Sequence, residues 1–207
     1  MDLDFSDEQQ QLRETVRRLC AEYAPISAVR AMEDDATGYP AELWKQLGEV
    51  GVNGLLIPEE HGGSAQSMLE AAIVYEELGR ALAPSPHFVS AVVSASALLA
   101  AASPGQVAAL RAEHGVYMVG DGRINVAGLP GQGLDRLAAA SDAQKASWLP
   151  KIASGEAILT PAWLEPDGGF GPKGVQLEAK ASGDGFVLSG VKRHVAFASA
   201  ATRLVVL

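Results

Sequence analysis

The segment Leu164-Glu165-Pro166-Asp167-Gly168-Gly169-Phe170 separates two parts of the chain that follow different hydrophobic patterns. Up to residue 156, apolar residues recur at the three- and four-residue spacing of amphipathic helices, whereas after the segment they recur at every second residue, as in strands. The segment follows the apolar run 157–163 and contains a proline and a glycine pair, so it predicts a loop at the end of a strand. Such loops frequently carry ligand-binding residues. A plain connection between a helical and a β region is the alternative that the local pattern leaves open.

Composition excludes several classes of protein. The 207 residues are 48% hydrophobic with a formal net charge of −9, and no basic cluster offsets that charge, so nucleic-acid binding is not expected. The single cysteine, Cys20, lies on the apolar face of a predicted helix and is interpreted as a buried structural thiol. Residues 1–8 are acidic, unlike a signal peptide, and the longest apolar run, 88–102, is too short to span a bilayer. These features predict a cytoplasmic protein without a membrane span.

Five helices are predicted upstream of the segment. Two of them begin at a capping box, Ser6 with Gln9 and Ser67 with Glu70. Pro40 suits the first turn of another, because proline is pre-organised for that position. The fourth helix has almost no charge and is expected to be buried. The predicted helices span residues 7–24, 40–50, 67–82, 87–102 and 141–155.

Residues 103–137 are rich in glycine and are expected to be irregular. Within them, residues 120–122 match only half of a dinucleotide-binding fingerprint, and no strand–helix unit surrounds them, so a Rossmann loop is rejected. Residues 116–119 and 123–127 are compatible with a small hairpin, and 105–113 with a short helix.

The loop that contains Glu59, Glu60 and His61 is a weak candidate for chemistry. Two adjacent carboxylates do not share a face, which argues against an acid–base pair. His61 has no second histidine or cysteine at the spacing of metal ligands, so no metal site is predicted.

After the loop segment the pattern predicts strands. Residues 175–181 alternate, a turn at 183–185 follows, and 186–191 leads back. The chain ends in the apolar run 202–207, so we expect an interrupted strand. The expected fold class is therefore α+β, with a helical domain over 1–156 and the start of a β domain over 157–207.

Short motifs occur along the chain in a fixed order. They are residues 4–9, 44–51, Ile57-Pro58-Glu59-Glu60-His61-Gly62-Gly63, 75–80, 144–150, 153–156, 165–166 and 188–192. No single motif is specific, but their order and spacing over 1–102 and 140–207 resemble the acyl-CoA dehydrogenase family.

The resemblance implies an N-terminal helical domain, a middle β domain of sandwich- or barrel-like form, which is truncated here, and a C-terminal helical domain, which is absent. It also implies FAD as cofactor, an acyl-CoA thioester as substrate, and electron-transfer flavoprotein or a similar acceptor as partner. Such proteins are homo- or hetero-oligomers of fatty acid or sterol side-chain metabolism. The family's catalytic base lies in the C-terminal domain, so no catalytic residue is named here, and residues 1–207 alone are expected to be inactive.

The resemblance also implies where a flavin would lie. The residues that align with its ring contacts are Leu164, Gly169, Phe170, His194, Val195 and Ala196. Several depart from the family pattern, because Leu164 and Ala196 replace hydroxyl residues, Phe170 replaces a serine, Gly171 an aspartate and His194 an aromatic wall residue. Three lost hydrogen bonds would weaken flavin binding by about 1.5–4.5 kcal/mol. We therefore expect weak or absent FAD in this subunit alone.

Three hypotheses follow from the sequence. The chain is the N-terminal portion of an FAD-dependent acyl-CoA dehydrogenase, or it belongs to a flavin-poor, non-catalytic partner subunit of a heteromeric one. Alternatively, it belongs to a family member that oxidises a carrier-bound or nitrogen-containing substrate.

Overall fold

The computed structural model describes residues 4–100, 117–118, 124–125, 142–166, 168, 175–182 and 185–206. Its helices are α1 (Asp7–Tyr23), α2 (Ile26–Ala31), α3 (Ala41–Glu49), α4 (Met68–Arg80), α5 (Ala95–Ala100) and α6 (Asp142–Ala153). A π-helix (Phe88–Ser94) leads into α5, and short 3-10 turns lie at Val52–Gly54 and Glu59–His61. The strands are β1 (Tyr117–Met118), β2 (Ile124–Asn125), β3 (Leu159–Ala162), β4 (Ala179–Ser182), β5 (Gly185–Leu188) and β6 (Arg203–Val206).

Both predicted capping boxes are confirmed, and they contact each other. The Gln9 N–H donates to Ser6 Oγ at 3.2 Å, and the Ser6 N–H donates to Gln9 Oε1 at 3.0 Å. In α4 the Ser67 N–H donates to Glu70 Oε2 at 3.0 Å. The Gln9 side chain also donates to Glu70 Oε1 at 2.8 Å. The first turns of α1 and α4 are therefore fixed side by side.

Two apolar clusters form the described core. The first joins α1, α3 and α4 and includes Cys20, whose thiol is buried as predicted and whose pKa burial raises to about 11. The second lies under α6, the π-helix and β3. Its buried members are Ile57, Ala91, Ala95, Leu149, Ile152, Ala153, Ala157 and Leu159. The second cluster thus packs the first strand of the β region directly on helices.

The strands form ladders of two within the part of the chain that the structure describes. β1 and β2 are antiparallel, with Tyr117 opposite Asn125, which confirms the predicted hairpin at its described residues. β4 and β5 are also antiparallel, whereas β3 and β6 are parallel, with Leu159 opposite Arg203. A largely helical part up to Ala153, followed by strands β3 to β6, confirms the α+β class.

Several local predictions were wrong. Pro25 ends α1 as expected, but its carbonyl then accepts a hydrogen bond from the N–H of Val29 at 3.0 Å and starts α2, a helix that was not predicted. The predicted helix over 87–102 begins as a π-helix, in which the Ser94 hydroxyl donates to the carbonyl of Val89, five residues earlier. Of the predicted strand 175–181, only the end is a strand. The predicted helix 105–113 lies outside the described residues.

Candidate cofactor-binding site

The strand β3 leads into the candidate site, and two buried serines of the π-helix hold it. The Leu159 N–H donates to Ser90 Oγ at 3.0 Å, and the Ser94 hydroxyl donates to the Leu159 carbonyl at 3.1 Å. Both serines are 0% exposed. The neighbouring Ile158 pairs instead with Thr202 next to β6, through N–H···O=C at 2.8 Å. β3 therefore lies between a helix and a strand.

Glu165 organises the loop that follows β3. Its Oε1 accepts a hydrogen bond from Lys192 Nζ at 2.7 Å. The carboxylate also accepts hydrogen bonds from the backbone N–H groups of Gln176 and Leu177, at 3.0 and 2.9 Å. Lys192 donates further to the Trp163 carbonyl at 3.3 Å. The hydrogen bond from Lys192 lowers the pKa of Glu165. One carboxylate thus joins three separate stretches of chain around the loop.

The structure brings the two predicted flavin-facing segments together. The Arg193 N–H donates to the Leu164 carbonyl at 2.7 Å, and the Thr160 hydroxyl donates to the Ala196 carbonyl at 2.8 Å. Leu164 and Val195 are half-buried, whereas His194 and Ala196 are exposed. The other two predicted residues, Gly169 and Phe170, lie outside the described residues, as does Gly171. The second segment therefore lies along β3, beside the start of the first.

The second segment, which we call the wall segment (residues 194–199), has an unusual backbone. His194 and Phe197 both have φ of 52°, a left-handed conformation that non-glycine residues adopt rarely. The Phe197 ring lies edge-on to Tyr39, with ring centroids 6.0 Å apart. The Ser199 hydroxyl donates to the Ala36 carbonyl at 2.7 Å. These contacts could not be predicted from the sequence, since no local pattern links residues 163 positions apart.

The described side chains do not fit a flavin ring held by hydroxyl groups. Leu164 and Ala196 carry no hydrogen-bonding side-chain atom, and the nearby hydroxyls of Thr160 and Ser199 donate to backbone carbonyls. Among the described residues, the buried side-chain polar atoms without a partner belong to Arg13, Asn53, Tyr75 and His87. All four belong to the helical region of the chain and to neither segment. At the described positions of the two segments the backbone contacts are therefore present, but Leu164 and Ala196 supply no hydroxyl to a flavin ring.

An apolar cavity of about 450 Å³ adjoins the wall segment. It is lined by Leu177, Leu188, Gly190, Lys192, Val195, Ala198, Leu204 and Val206. Since Val195 and Ala198 belong to the wall segment, one side of that segment faces apolar space. The cavity is wide enough for an apolar group but offers few polar partners.

A metal site is one further possibility in the described ranges. No three His, Cys, Asp or Glu side chains come together there in a way that would hold a metal ion. Glu59 and His61 lie in a 3-10 turn, as the loop interpretation of this stretch implied. None of the helices that the structure describes has the length and hydropathy needed to cross a membrane.

Comparison with known proteins assigns the family. Residues 6–110, just over half of the chain, match the acyl-CoA dehydrogenase N-terminal domain. The chain belongs to the acyl-CoA dehydrogenase family. The resemblance found from short motifs alone is thereby confirmed.

Individual relatives agree with this assignment. Acyl-CoA dehydrogenase IpdE2 of Mycobacterium tuberculosis is 50% identical over 99 residues, which cover 47% of this chain and 31% of that protein. The probable acyl-CoA dehydrogenase YngJ of Bacillus subtilis is 29% identical over 208 residues, which cover 100% and 44%. A solved variant of the Tcur3481-Tcur3483 steroid ACAD matches with a TM-score of 0.65 and 26% identity, over 97% of this chain and 44% of that one. The chain spans less than half the length of these curated relatives.

Proposed function

We propose that the complete protein is an FAD-dependent acyl-CoA dehydrogenase and that this chain forms its N-terminal portion. The reaction is the α,β-dehydrogenation of an acyl-CoA thioester, and FAD, when bound, would supply the hydride-accepting chemistry. The observation that supports it best is the contact between the Arg193 N–H and the Leu164 carbonyl, 2.7 Å long, because it joins the two segments that a member of this family would place against the ring. We propose that the base comes from the C-terminal part of the complete protein.

The test is a dehydrogenase assay on the complete protein with an artificial electron acceptor and a series of acyl-CoA thioesters, steroid-derived ones included. We expect acyl-CoA-dependent reduction of the acceptor and formation of the enoyl-CoA product. Electron-transfer flavoprotein is the proposed natural acceptor, in the cytoplasm. Absence of turnover with every thioester, for the protein alone and together with any subunit that copurifies, would refute the proposal.

A second candidate function is supported by the side chains of the site. Leu164 and Ala196 offer no hydroxyl, and Thr160 and Ser199 use theirs on backbone carbonyls. The matched steroid ACAD is named as a pair, Tcur3481-Tcur3483, which supports a hetero-oligomer as the comparable assembly. In this alternative the subunit binds little FAD, and a related subunit carries the cofactor.

The FAD-to-protein ratio of the complete protein, purified without added flavin, separates the two candidates. The flavin-poor alternative predicts a low ratio that rises in the double variant Leu164→Thr, Phe170→Ser, because the hydroxyls restore hydrogen bonds worth about 0.5–1.5 kcal/mol each, whereas the first candidate predicts a stoichiometric ratio in the wild type. A matched control is Leu177→Thr, which adds a hydroxyl on the cavity side. A stoichiometric yellow wild type would contradict the flavin-poor alternative, and an unchanged ratio in the double variant would place the loss elsewhere.

We further propose that the chain divides between residues 156 and 157. Helix α6 ends at Ala153 and β3 begins at Leu159, with Gly155 at φ 79° between them. Limited proteolysis that releases a stable fragment ending near residue 156 would support this division.

A further inference from the structure

The wall segment adopts a conformation that it does not favour by itself. His194 and Phe197 both lie in the left-handed region at φ of 52°, on either side of Val195 and Ala196. Neither residue is a glycine, and such conformations persist only where the surrounding structure imposes them. The contacts that impose this conformation therefore determine where the wall segment lies.

One set of contacts comes from the strand side. The Arg193 N–H is fixed on the Leu164 carbonyl, and the Ala196 carbonyl is fixed by the hydroxyl of Thr160, which is 0% exposed. These bonds hold the first half of the wall segment and stop at Ala196. Phe197 and the residues after it need support from elsewhere.

The second set comes from the loop at residues 35–39, between α2 and α3. The Ala36 carbonyl accepts the Ser199 hydroxyl at 2.7 Å, and the Tyr39 ring meets Phe197 edge-on, with an interplanar angle of 85°. An edge-to-face ring pair and a hydrogen bond restrain both position and orientation. The loop thus supports the half of the wall segment that β3 does not reach.

The loop at residues 35–39 is itself ordered by one carboxylate. Asp35 Oδ1 accepts the N–H of Thr37 at 2.7 Å and the N–H of Gly38 at 3.0 Å, and it also accepts the Thr37 hydroxyl. That hydroxyl is the main reason that the pKa of Asp35 is lowered. Gly38 has φ of 73°, which closes the turn. Asp35 therefore presents the Ala36 carbonyl to the wall segment.

We propose that the loop at residues 35–39 is a positioning element for the wall segment, with Asp35 and Ser199 as positioning residues for the ligand that this segment contacts. The inference rests on the proposed function, in which that ligand is the thioester end of an acyl-CoA. It adds a contribution from the helical region to a site otherwise built from β3 and the strand-end loops. The positioning residues act through Phe197 and Ala36 and do not themselves touch the ligand.

The test uses the complete protein and two readouts. Amide hydrogen exchange of the peptide that covers residues 194–199 is measured without ligand, and KM and kcat are measured with acyl-CoA. We expect Ser199→Ala and Asp35→Ala to raise exchange in this peptide about two- to tenfold, as loss of one hydrogen bond predicts. KM should rise by a similar factor while kcat changes less. Ser199→Thr should leave exchange and KM close to their wild-type values, because it keeps the hydroxyl. Asp34→Ala is the matched control for Asp35→Ala.

The outcomes distinguish this inference from the proposed function. Unchanged exchange at residues 194–199 in both alanine variants would overturn the inference whether or not the enzyme is active. Raised exchange with an unchanged KM in an active enzyme would also overturn it, since the loop would then be only structural. If no variant and no wild type turns over acyl-CoA, the proposed function fails. Raised exchange in the alanine variants, together with wild-type exchange in Ser199→Thr, would then still support the positioning of the wall segment.

Discussion

Substitution of Ser90 by alanine tests how β3 is held. Ser90 Oγ is the partner of the Leu159 N–H at 3.0 Å, and Ser90 and Leu159 are 0% and 3% exposed. No water reaches an amide at that depth easily, so Ser90→Ala leaves a buried donor without a partner. Such a group costs about 1–3 kcal/mol. We expect the free energy of unfolding to fall by about 2 kcal/mol.

Ser94→Ala has a smaller expected effect. Its single hydroxyl proton is shared between the Leu159 carbonyl at 3.1 Å and the Val89 carbonyl at 2.7 Å. A carbonyl has two lone pairs and tolerates the loss of one partner better than an N–H does. We therefore expect the free energy of unfolding to fall by about 0.5–1.5 kcal/mol in Ser94→Ala. Because both serines bond the same residue, the double variant should not be the sum of the two single ones.

The assay is urea unfolding of the purified protein, followed by tryptophan fluorescence, with the midpoint and the slope compared between variants. Ser96→Ala is the matched control, because Ser96 is exposed and follows the same π-helix into α5. A surface change of this kind usually stays within about 0.5 kcal/mol. If Ser90→Ala cannot be distinguished from Ser96→Ala, the serine–strand contact does not stabilise the fold and the reasoning is refuted.

Two further predictions concern the helical region. Gly48→Ala should destabilise the protein by about 1–3 kcal/mol, because a Cβ there would lie 2.3 Å from the backbone oxygen of Ser154. Gly79→Ala should instead stabilise its helix by about 0.5–1 kcal/mol, because a Cβ there would meet nothing within 4 Å. Equal effects of the two variants in urea unfolding would contradict this reasoning. Burial lowers the pKa of His87 to about 4. Between this pKa and the ordinary one, the unfolded chain binds a proton that the folded chain does not. The contribution of neutral His87 to the free energy of unfolding is therefore complete above the ordinary pKa and is lost as pH falls toward 4. Between about pH 7.5 and about pH 5 we expect the free energy of unfolding to fall by about 2 kcal/mol because of His87, and this fall should be missing in His87→Gln. Parallel pH profiles of the two proteins would show that His87 is not responsible.

Features that depend on neighbouring residues could be predicted from the sequence. The capping box of Ser6 and Gln9 lies within three residues, and the apolar repeat of α1 continues directly from it. The burial of Cys20 followed from the same repeat. Local chemistry is sufficient here because the helix supplies the geometry that brings the groups together.

The parts of the site that depend on distant residues could not be predicted in this way. The family resemblance aligns Leu164 and His194 with flavin contacts, which stays a prediction, and it does not reveal the hydrogen bond between Ser199 and Ala36, which joins residues 163 positions apart. The π-helix was not predicted either, and its serines contact Leu159, which lies 69 positions after Ser90 and 65 after Ser94. These features exist only after tertiary packing has brought the groups together.

The contact between Ser199 and Ala36 has a consequence for the order in which parts of the protein fold during synthesis. A ribosome delivers the chain from its N-terminus, and helical regions can fold as soon as they have emerged. The loop at residues 35–39 is therefore complete long before the wall segment has been synthesised. During that interval the Ala36 carbonyl and the Tyr39 ring face water or a chaperone. The candidate site closes only after residue 199 has left the exit tunnel, so we expect it to be the last part of the described chain to acquire its final shape.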